Sequence, residues 1–279
     1  MPPSGPGGMT TGCVVGAVVA AGLGAAAYYA YALRGTPPAL RAPKDLPAVE
    51  MGYWAIRGLA APMRMMCAYR GVTPKDNRYV ARPGDKSSWF GEAKQALQAR
   101  NALINLPWVE LGDGHVVTQS NACYLALARA LNLVDASSEH AVRDCEQLLL
   151  TVMELRDAAV GLFYRSRGTE EELDLHLEGS VKSSYGKLEA WLGSPPARGG
   201  PFLLGSRPTV PDFHLFEMLD QHELLCSKHG RPSPVEGYGR LKQMHKAFKA
   251  LPEMREYFAS DAYSLPCNNT MAKFLNTPA

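Results

Sequence analysis

No CxxC pair, no zinc-like Cys/His spacing, no run of lysine or arginine and no internal repeat occurs in this 279-residue chain. Each absence removes a class of function. Without paired cysteines there is neither a dithiol redox motif nor a cysteine-rich metal module. Scattered basic residues and a formal net charge of +2 give no electrostatic footprint for nucleic acid. Without a repeat, a solenoid or propeller is excluded. His140, His176, His214, His222, His229 and His245 fall on helical stretches without metal spacing. The His214-Phe216-Asp220-His222 neighbourhood reads as a capped, partly buried helix face. No metal is expected. Cys67, Cys123 and Cys145 sit inside apolar helical patterns, where buried free thiols are usual, and this suits a reducing compartment.

The first 33 residues lack any charged side chain. Their core, from Cys13 to Leu33, is 21 residues long, about enough for a helix to span a bilayer. Gly12, Gly16, Ala20 and Gly24 recur every four residues and would form a small-residue ridge for close packing against another helix. Tyr28, Tyr29 and Tyr31 suit an interfacial belt, and Arg34, Arg41 and Lys44 follow. No basic region precedes the apolar run, unlike a secretory signal, and the stretch is not the Arg-rich amphipath of a transit peptide. The expectation is a retained single-pass membrane anchor. Positive-inside logic places the rest of the chain in cytosol or mitochondrial matrix, with the mitochondrial inner membrane as the preferred location.

The expected layout is a tail and transmembrane helix over 1–35, a Pro-rich linker over 36–47, an α/β unit over 48–134 and an all-helical unit over 135–279. Val49 and Met51 open a strand that ends at Tyr53-Trp54, followed by a polar turn and a helix carrying Leu59, Met63, Met66 and Cys67. Met63, Met65 and Met66 read as a core stripe. Gly71 closes that helix. Asn77 to Val80 reads as a strand, Trp89 to Leu97 as a helix, and Trp108–Leu111 and His115–Thr118 as a hairpin around Asp113-Gly114. Ser120 is placed as the N-cap of the next helix, which reaches Leu133. Long helices follow over 141–165 and 169–192, the second with a capping box at Thr169/Glu172. Another starts with a similar box at Thr209/Asp212.

Three places could carry chemistry. Tyr53 and Trp54 end a strand, where α/β folds put ligand-contacting loops, but they also suit a core. A hydroxyl there could donate to a thiolate and favour its ionised form. The Leu106-Pro107 bond precedes a strand and is either an ordinary trans proline or a cis one that turns backbone groups toward an extended ligand. Gln119-Ser120, at a helix start, is either a plain cap or a carboxylate site.

Taken together, Gly52-Tyr53-Trp54-x-Ile56-Arg57-Gly58-Leu59-Ala60, Asn105-Leu106-Pro107, Thr118-Gln119-Ser120-Asn121-Ala122 and the tail Leu265-Pro266…Met271-Ala272-Lys273 resemble a glutathione transferase of the mu class. The resemblance runs from about Val49 to the end. It implies an α+β fold, with a thioredoxin-like N-terminal domain and an all-α C-terminal domain, usually dimeric. It implies glutathione as co-substrate and a hydrophobic electrophile as its partner in a detoxification reaction. In its terms Tyr53 stabilises the glutathione thiolate, and Tyr164 overhangs the electrophile. Trp54, Trp89 and Asn105 line the glutathione groove; Leu106, before the expected cis Pro107, pairs with the cysteinyl part; Gln119 and Ser120 hold the γ-glutamyl end. Lys86 stands where the family usually has arginine, losing the bidentate fork, and Lys94 fills a second basic position only with a one-residue shift. Glu154 replaces an aspartate that reaches the glutathione of the partner subunit. The rival reading is a weakly active or non-catalytic accessory subunit of a membrane complex. A third is a glutathione-dependent isomerase acting on lipids.

Overall fold

A computed structural model describes residues 46–80 and 89–278. The expected membrane span, most of the linker and Lys86 lie outside the described residues. No helix among the described residues is long and apolar enough to cross a membrane.

The chain from Ala42 onward forms one unit, built on a four-stranded sheet. Strand β1 (Glu50–Trp54) pairs in parallel with β2 (Lys75–Tyr79) and antiparallel with β3 (Trp108–Glu110), which pairs antiparallel with β4 (Val116–Thr118). The order is β2-β1-β3-β4. The β1–β2 crossover runs through helix α1 (Ala61–Tyr69), buried at every position except Ala68. Helix α2 (Glu92–Gln98) is shorter than the 89–97 reading and leaves Trp89 ahead of it. The second strand begins two residues earlier than expected, at Lys75.

Side chains alternate across a strand, so Gly52 and Trp54 share one face of β1 while Met51 and Tyr53 share the other. On the first face Trp89, Leu97, Ile104, Trp108 and Val116 form a core, with Trp54, Tyr79, Ala93 and Leu106 packed on it. Gly52 is required there: a Cβ would stand 2.2 Å from the Trp108 indole nitrogen.

Everything from α3 (Ser120–Ala130) onward is helical or loop among the described residues, apart from a single bridge between Phe202 and Gly205. Helix α4 (Glu139–Val160) is capped by the Ser138 side chain and runs into a π-helical turn, Gly161–Arg165. Helix α5 (Glu170–His176) starts with the expected Thr169/Glu172 capping box. A π turn at Leu177–Val181 joins it to α6 (Lys182–Leu192), so the 169–192 stretch is continuous.

Helix α7 (Val210–Lys228) occupies the centre, with Val210 to His222 buried throughout. Such all-round burial marks a core helix, so the His214–His222 stretch is wholly buried rather than half-exposed as its sequence suggests. Its start carries the Thr209/Asp212 box. Asp212 accepts from the Leu203 and Thr209 backbone N–H groups, both at 2.8 Å. Burial nonetheless pushes its carboxyl up to about 6. Helices α8 (Gly239–Lys249), α9 (Arg255–Phe258) and α10 (Asp261–Ser264) complete the set.

Candidate functional site

Sheet register assembles the site. Gly52 stands opposite Trp108, which stands opposite Thr118. One residue beyond that row, Tyr53, Pro107 and Gln119 carry the register on toward one end of the sheet; Trp54, Leu106 and Ser120 come next. Three sequence motifs, the first more than fifty residues from the other two, thus line up at one end of the sheet. The Leu106-Pro107 bond is cis. Thr118 braces it: its hydroxyl donates to Asn105 O at 2.8 Å and accepts from the Asn105 N–H at 3.1 Å. The Asn105 side-chain oxygen accepts from the Leu106 N–H at 2.9 Å.

Gln119 has φ +75° and acts as the N-cap position of α3, so Ser120 is the first helical residue. No side chain caps this helix. Ser120 was expected as the cap, and the difference has a physical basis. With Gln119 at positive φ and no side-chain cap, the first-turn amides of α3 lack a side-chain oxygen to bind. Such a helix start attracts a carboxylate.

Tyr53 is 6% exposed. Burial raises its hydroxyl above the usual phenol range, while the Arg156 charge, a hydrogen bond from the Leu59 backbone and the Arg64 charge pull it back. At neutral pH it therefore keeps its proton and can donate it in a hydrogen bond. Gly58, at φ +38°, allows the turn to fold over the ring: a Cβ there would lie 2.7 Å from Tyr53 Cε1 and 3.1 Å from its hydroxyl. The Leu59 peptide is held at its other end by Tyr124, whose hydroxyl donates to Leu59 O at 2.7 Å.

The turn between β1 and α1 is clasped from two sides. The C-terminal tail accepts from the Arg57 N–H through Pro266 O at 2.8 Å and from the Gly58 N–H through Cys267 O at 3.1 Å. From α7, Glu217 takes two hydrogen bonds from the Arg57 guanidinium, at 3.1 and 2.8 Å, and Asp220 takes a third at 2.7 Å. Burial acts to lower the Arg57 pKa, but Glu217, Cys267 and Asp220 outweigh it and hold it well above its usual value.

Tyr164 lies in the π-helical turn after α4. Its hydroxyl accepts from the Asn269 N–H at 3.1 Å and lies 3.4 Å from Asn268 Oδ1. The tail therefore closes over Tyr164. Burial raises this phenol too.

The remaining expected residues are spread more widely. Trp54 is half-buried, with its ring 5.8 Å from Phe90. Trp89 is 1% exposed and packs on Tyr79 at 5.2 Å, so its ring supports the groove from inside the core instead of presenting a face. Lys94 Nζ sits 5.9 Å over the Phe90 ring. Glu154 is exposed on α4. Arg57, Tyr124, Arg156 and Asn269 were not singled out as site residues; Arg57 lies inside an expected motif, Tyr124 beside one and Asn269 within the tail segment, while Arg156 carried no local signal.

The thiols of the described residues are poor nucleophiles. Cys67, Cys123, Cys145, Cys226 and Cys267 are buried and unpaired. Burial pushes four of them up to about 12 and Cys226 up to about 11. The site thus offers a protonated phenol, a braced backbone edge and a helix N-terminus, but no nucleophile of its own. Among the described residues no cluster of three His, Cys, Asp or Glu could hold a metal ion.

The chain is similar to known proteins in sequence and in fold. Residues 153–261 match the family model described as "Glutathione S-transferase, C-terminal domain". "Glutathione S-transferase B" of Cavia porcellus is 30% identical over 219 residues, 77% of this chain and 93% of that protein. "Glutathione S-transferase Mu 2" of Mus musculus is 29% identical, over 77% of this chain and 92% of that protein. Among solved structures, the Onchocerca volvulus pi-class glutathione S-transferase superposes with a TM-score of 0.66 at 25% identity, covering 81% of this chain and 99% of that one.

Proposed function

Because this chain belongs to the glutathione S-transferase family and is a glutathione transferase, we propose that it conjugates the thiolate of glutathione to hydrophobic electrophiles at the sheet end occupied by Tyr53. What supports this reading is a buried, protonated Tyr53 at the end of β1, in a strand register that runs on toward the cis Leu106-Pro107 bond and the Gln119-Ser120 helix start.

In this reading the γ-glutamyl carboxylate sits at the first turn of α3, with Gln119 and Ser120. The cysteinyl backbone pairs with Leu106, just ahead of β3. Its sulfur then comes to the Tyr53 hydroxyl. The S–H bond breaks, the proton leaves to solvent, and the Tyr53 O–H donates to the sulfur anion. The thiolate forms a bond to an electrophilic carbon, and either a leaving group departs with the bonding pair or the resulting carbanion takes a proton. Trp54, Trp89, Asn105, Lys86 and Lys94 would complete the groove toward the glycyl end, where lysines give charge without the planar fork of arginine. Tyr164, anchored to the tail, borders the electrophile. Glu154, exposed on α4, would reach the glutathione of a second copy in a homodimer.

The segment over 13–33 is proposed as a membrane anchor that holds the enzyme at a bilayer, the mitochondrial inner membrane being preferred. The accessory-subunit reading rests on the same segment's small-residue ridge.

Titration of the bound thiol separates the readings. Full-length protein in detergent is mixed with glutathione, and thiolate absorbance is followed against pH beside Tyr53→Phe. Conjugation chemistry predicts a thiol pKa at least about one unit below that of free glutathione, lost in the variant. No binding at millimolar glutathione would leave the accessory-subunit reading in its place.

A further inference from the structure

Arg156, on α4, is 4% exposed. Its Nε and Nη1 have no hydrogen-bond partner, and among the described residues it forms no ion pair. Arg57 and Arg64 are equally buried, yet both are paired with carboxylates. A buried cation without a counter-charge is costly unless something answers it.

The groups that feel this charge come from four elements. They are Tyr53 of β1, Tyr124 of α3, Tyr164 of the π turn, and His214 and His222 of α7. None supplies a negative charge. Burial and the Arg156 charge lower His214 to about 3, and both of its ring nitrogens are unpartnered. His222 is held neutral by burial and by His176. Arg64 adds a second positive field at Tyr53, while Glu217, the buried acid on α7, is bound to Arg57. The wall behind the two tyrosines is therefore net positive and dry.

Resting on the reading of Tyr53 given above, we propose that Arg156 is a positioning residue for the thiol chemistry: a deliberately unpaired guanidinium whose charge is balanced only when the glutathione sulfur is ionised in front of Tyr53. Its Nε and Nη1 are sealed from solvent, and it acts through the field at the phenol. A fixed charge in a water-excluded site needs no reorganisation when negative charge arrives, which favours the thiolate over the thiol. No acid–base step passes through the arginine.

The test uses full-length protein with Arg156→Met and Arg156→Lys. Two titrations are read: the bound glutathione thiol, and the Tyr53 phenol without glutathione, taken as the difference from Tyr53→Phe. In Arg156→Met both pKa values should rise by about one unit, a roughly tenfold smaller thiolate fraction. Arg156→Lys should keep most of the wild-type values. In a Tyr53→Phe background, Arg156→Met should lose most of its effect on kcat/KM, which a merely structural role would not do. A folded Arg156→Met with both titrations unchanged overturns the proposal, as does a lysine variant that falls as far as methionine. If the methionine variant does not fold, Arg156→Gln against Arg156→Lys decides by the same criteria. If wild type binds no glutathione, the site reading fails, and the phenol titration still decides the field of Arg156 by itself.

Discussion

Replacing Arg57 with methionine should destabilise the protein by about 4 kcal/mol, and the loss should depend on pH. Arg57 is 1% exposed and holds Glu217 by two hydrogen bonds and Asp220 by one. Asp220 has other support: Tyr263 donates to it at 3.0 Å, Lys249 lies 2.8 Å away, and His245 faces it at 3.4 Å. Glu217 keeps only Gln221 Nε2, at 2.7 Å. The charge stranded by the substitution is therefore Glu217, and two charge-assisted bonds at roughly 1.5–3 kcal/mol each set the scale. Burial already raises the Glu217 carboxyl, with Arg57 the main opposing influence. Without Arg57 its folded pKa rises further above the unfolded value near 4.3. A carboxyl raised by folding destabilises fully above its folded pKa, and the penalty fades as pH falls toward the unfolded one. The deficit of Arg57→Met relative to wild type should thus be largest at about pH 8 and shrink by roughly 1 kcal/mol or more at about pH 5.5. Urea denaturation followed by tryptophan fluorescence at the two pH values measures it. The double variant Arg57→Met/Glu217→Gln should recover about half the loss at the higher pH. A deficit under about 1 kcal/mol, or one equal at both pH values, would refute this account of the clasp.

Two further outcomes follow from buried groups. His214 has a folded pKa of about 3 and no partner for either ring nitrogen. A histidine lowered by folding gives stability that is complete above about pH 6.5 and lost as pH falls toward the folded value, at about 1.4 kcal/mol per unit. His214→Leu should therefore remove roughly 2 kcal/mol of the acid sensitivity between about pH 6.5 and pH 5 and be no less stable at neutral pH, as read from urea midpoints. A leucine variant with an unchanged acid slope would show that this imidazole does not titrate on unfolding. Tyr164→Phe removes the acceptor for the Asn269 N–H at 3.1 Å. Loss of about 1 kcal/mol of local support should speed hydrogen exchange at Asn269 roughly fivefold. Unchanged exchange would mean that the tail is held by the bond from the Lys273 N–H to Phe163 O and the contacts to Arg57 and Gly58.

What the chain determined by itself was local. Alternating side chains place Gly52 and Trp54 on one face of β1, Asp113-Gly114 turns a hairpin, and Thr169/Glu172 and Thr209/Asp212 start helices. Each depends on residues within a few positions, so a linear reading suffices. The motifs Tyr53-Trp54, Leu106-Pro107 and Gln119-Ser120 were likewise visible as separate signals. Tertiary structure alone brought them to one row, because strand register joins Tyr53-Trp54 to two segments that the sequence leaves over fifty residues away. It alone showed that Ser120 begins α3 instead of capping it, and that Trp89 supports the groove from the core. The Arg57–Glu217 pair spans 160 residues, and the Asn269–Tyr164 bond spans 105. Arg156 carried no signal at all, since an arginine on an amphipathic helix reads as a solvated charge. Its isolation depends on how α4 packs on α7 and on which neighbours lack a charge to give back. Local spacing sets which elements form; the free energy of a buried charge is set by what surrounds it, and only the folded chain determines that.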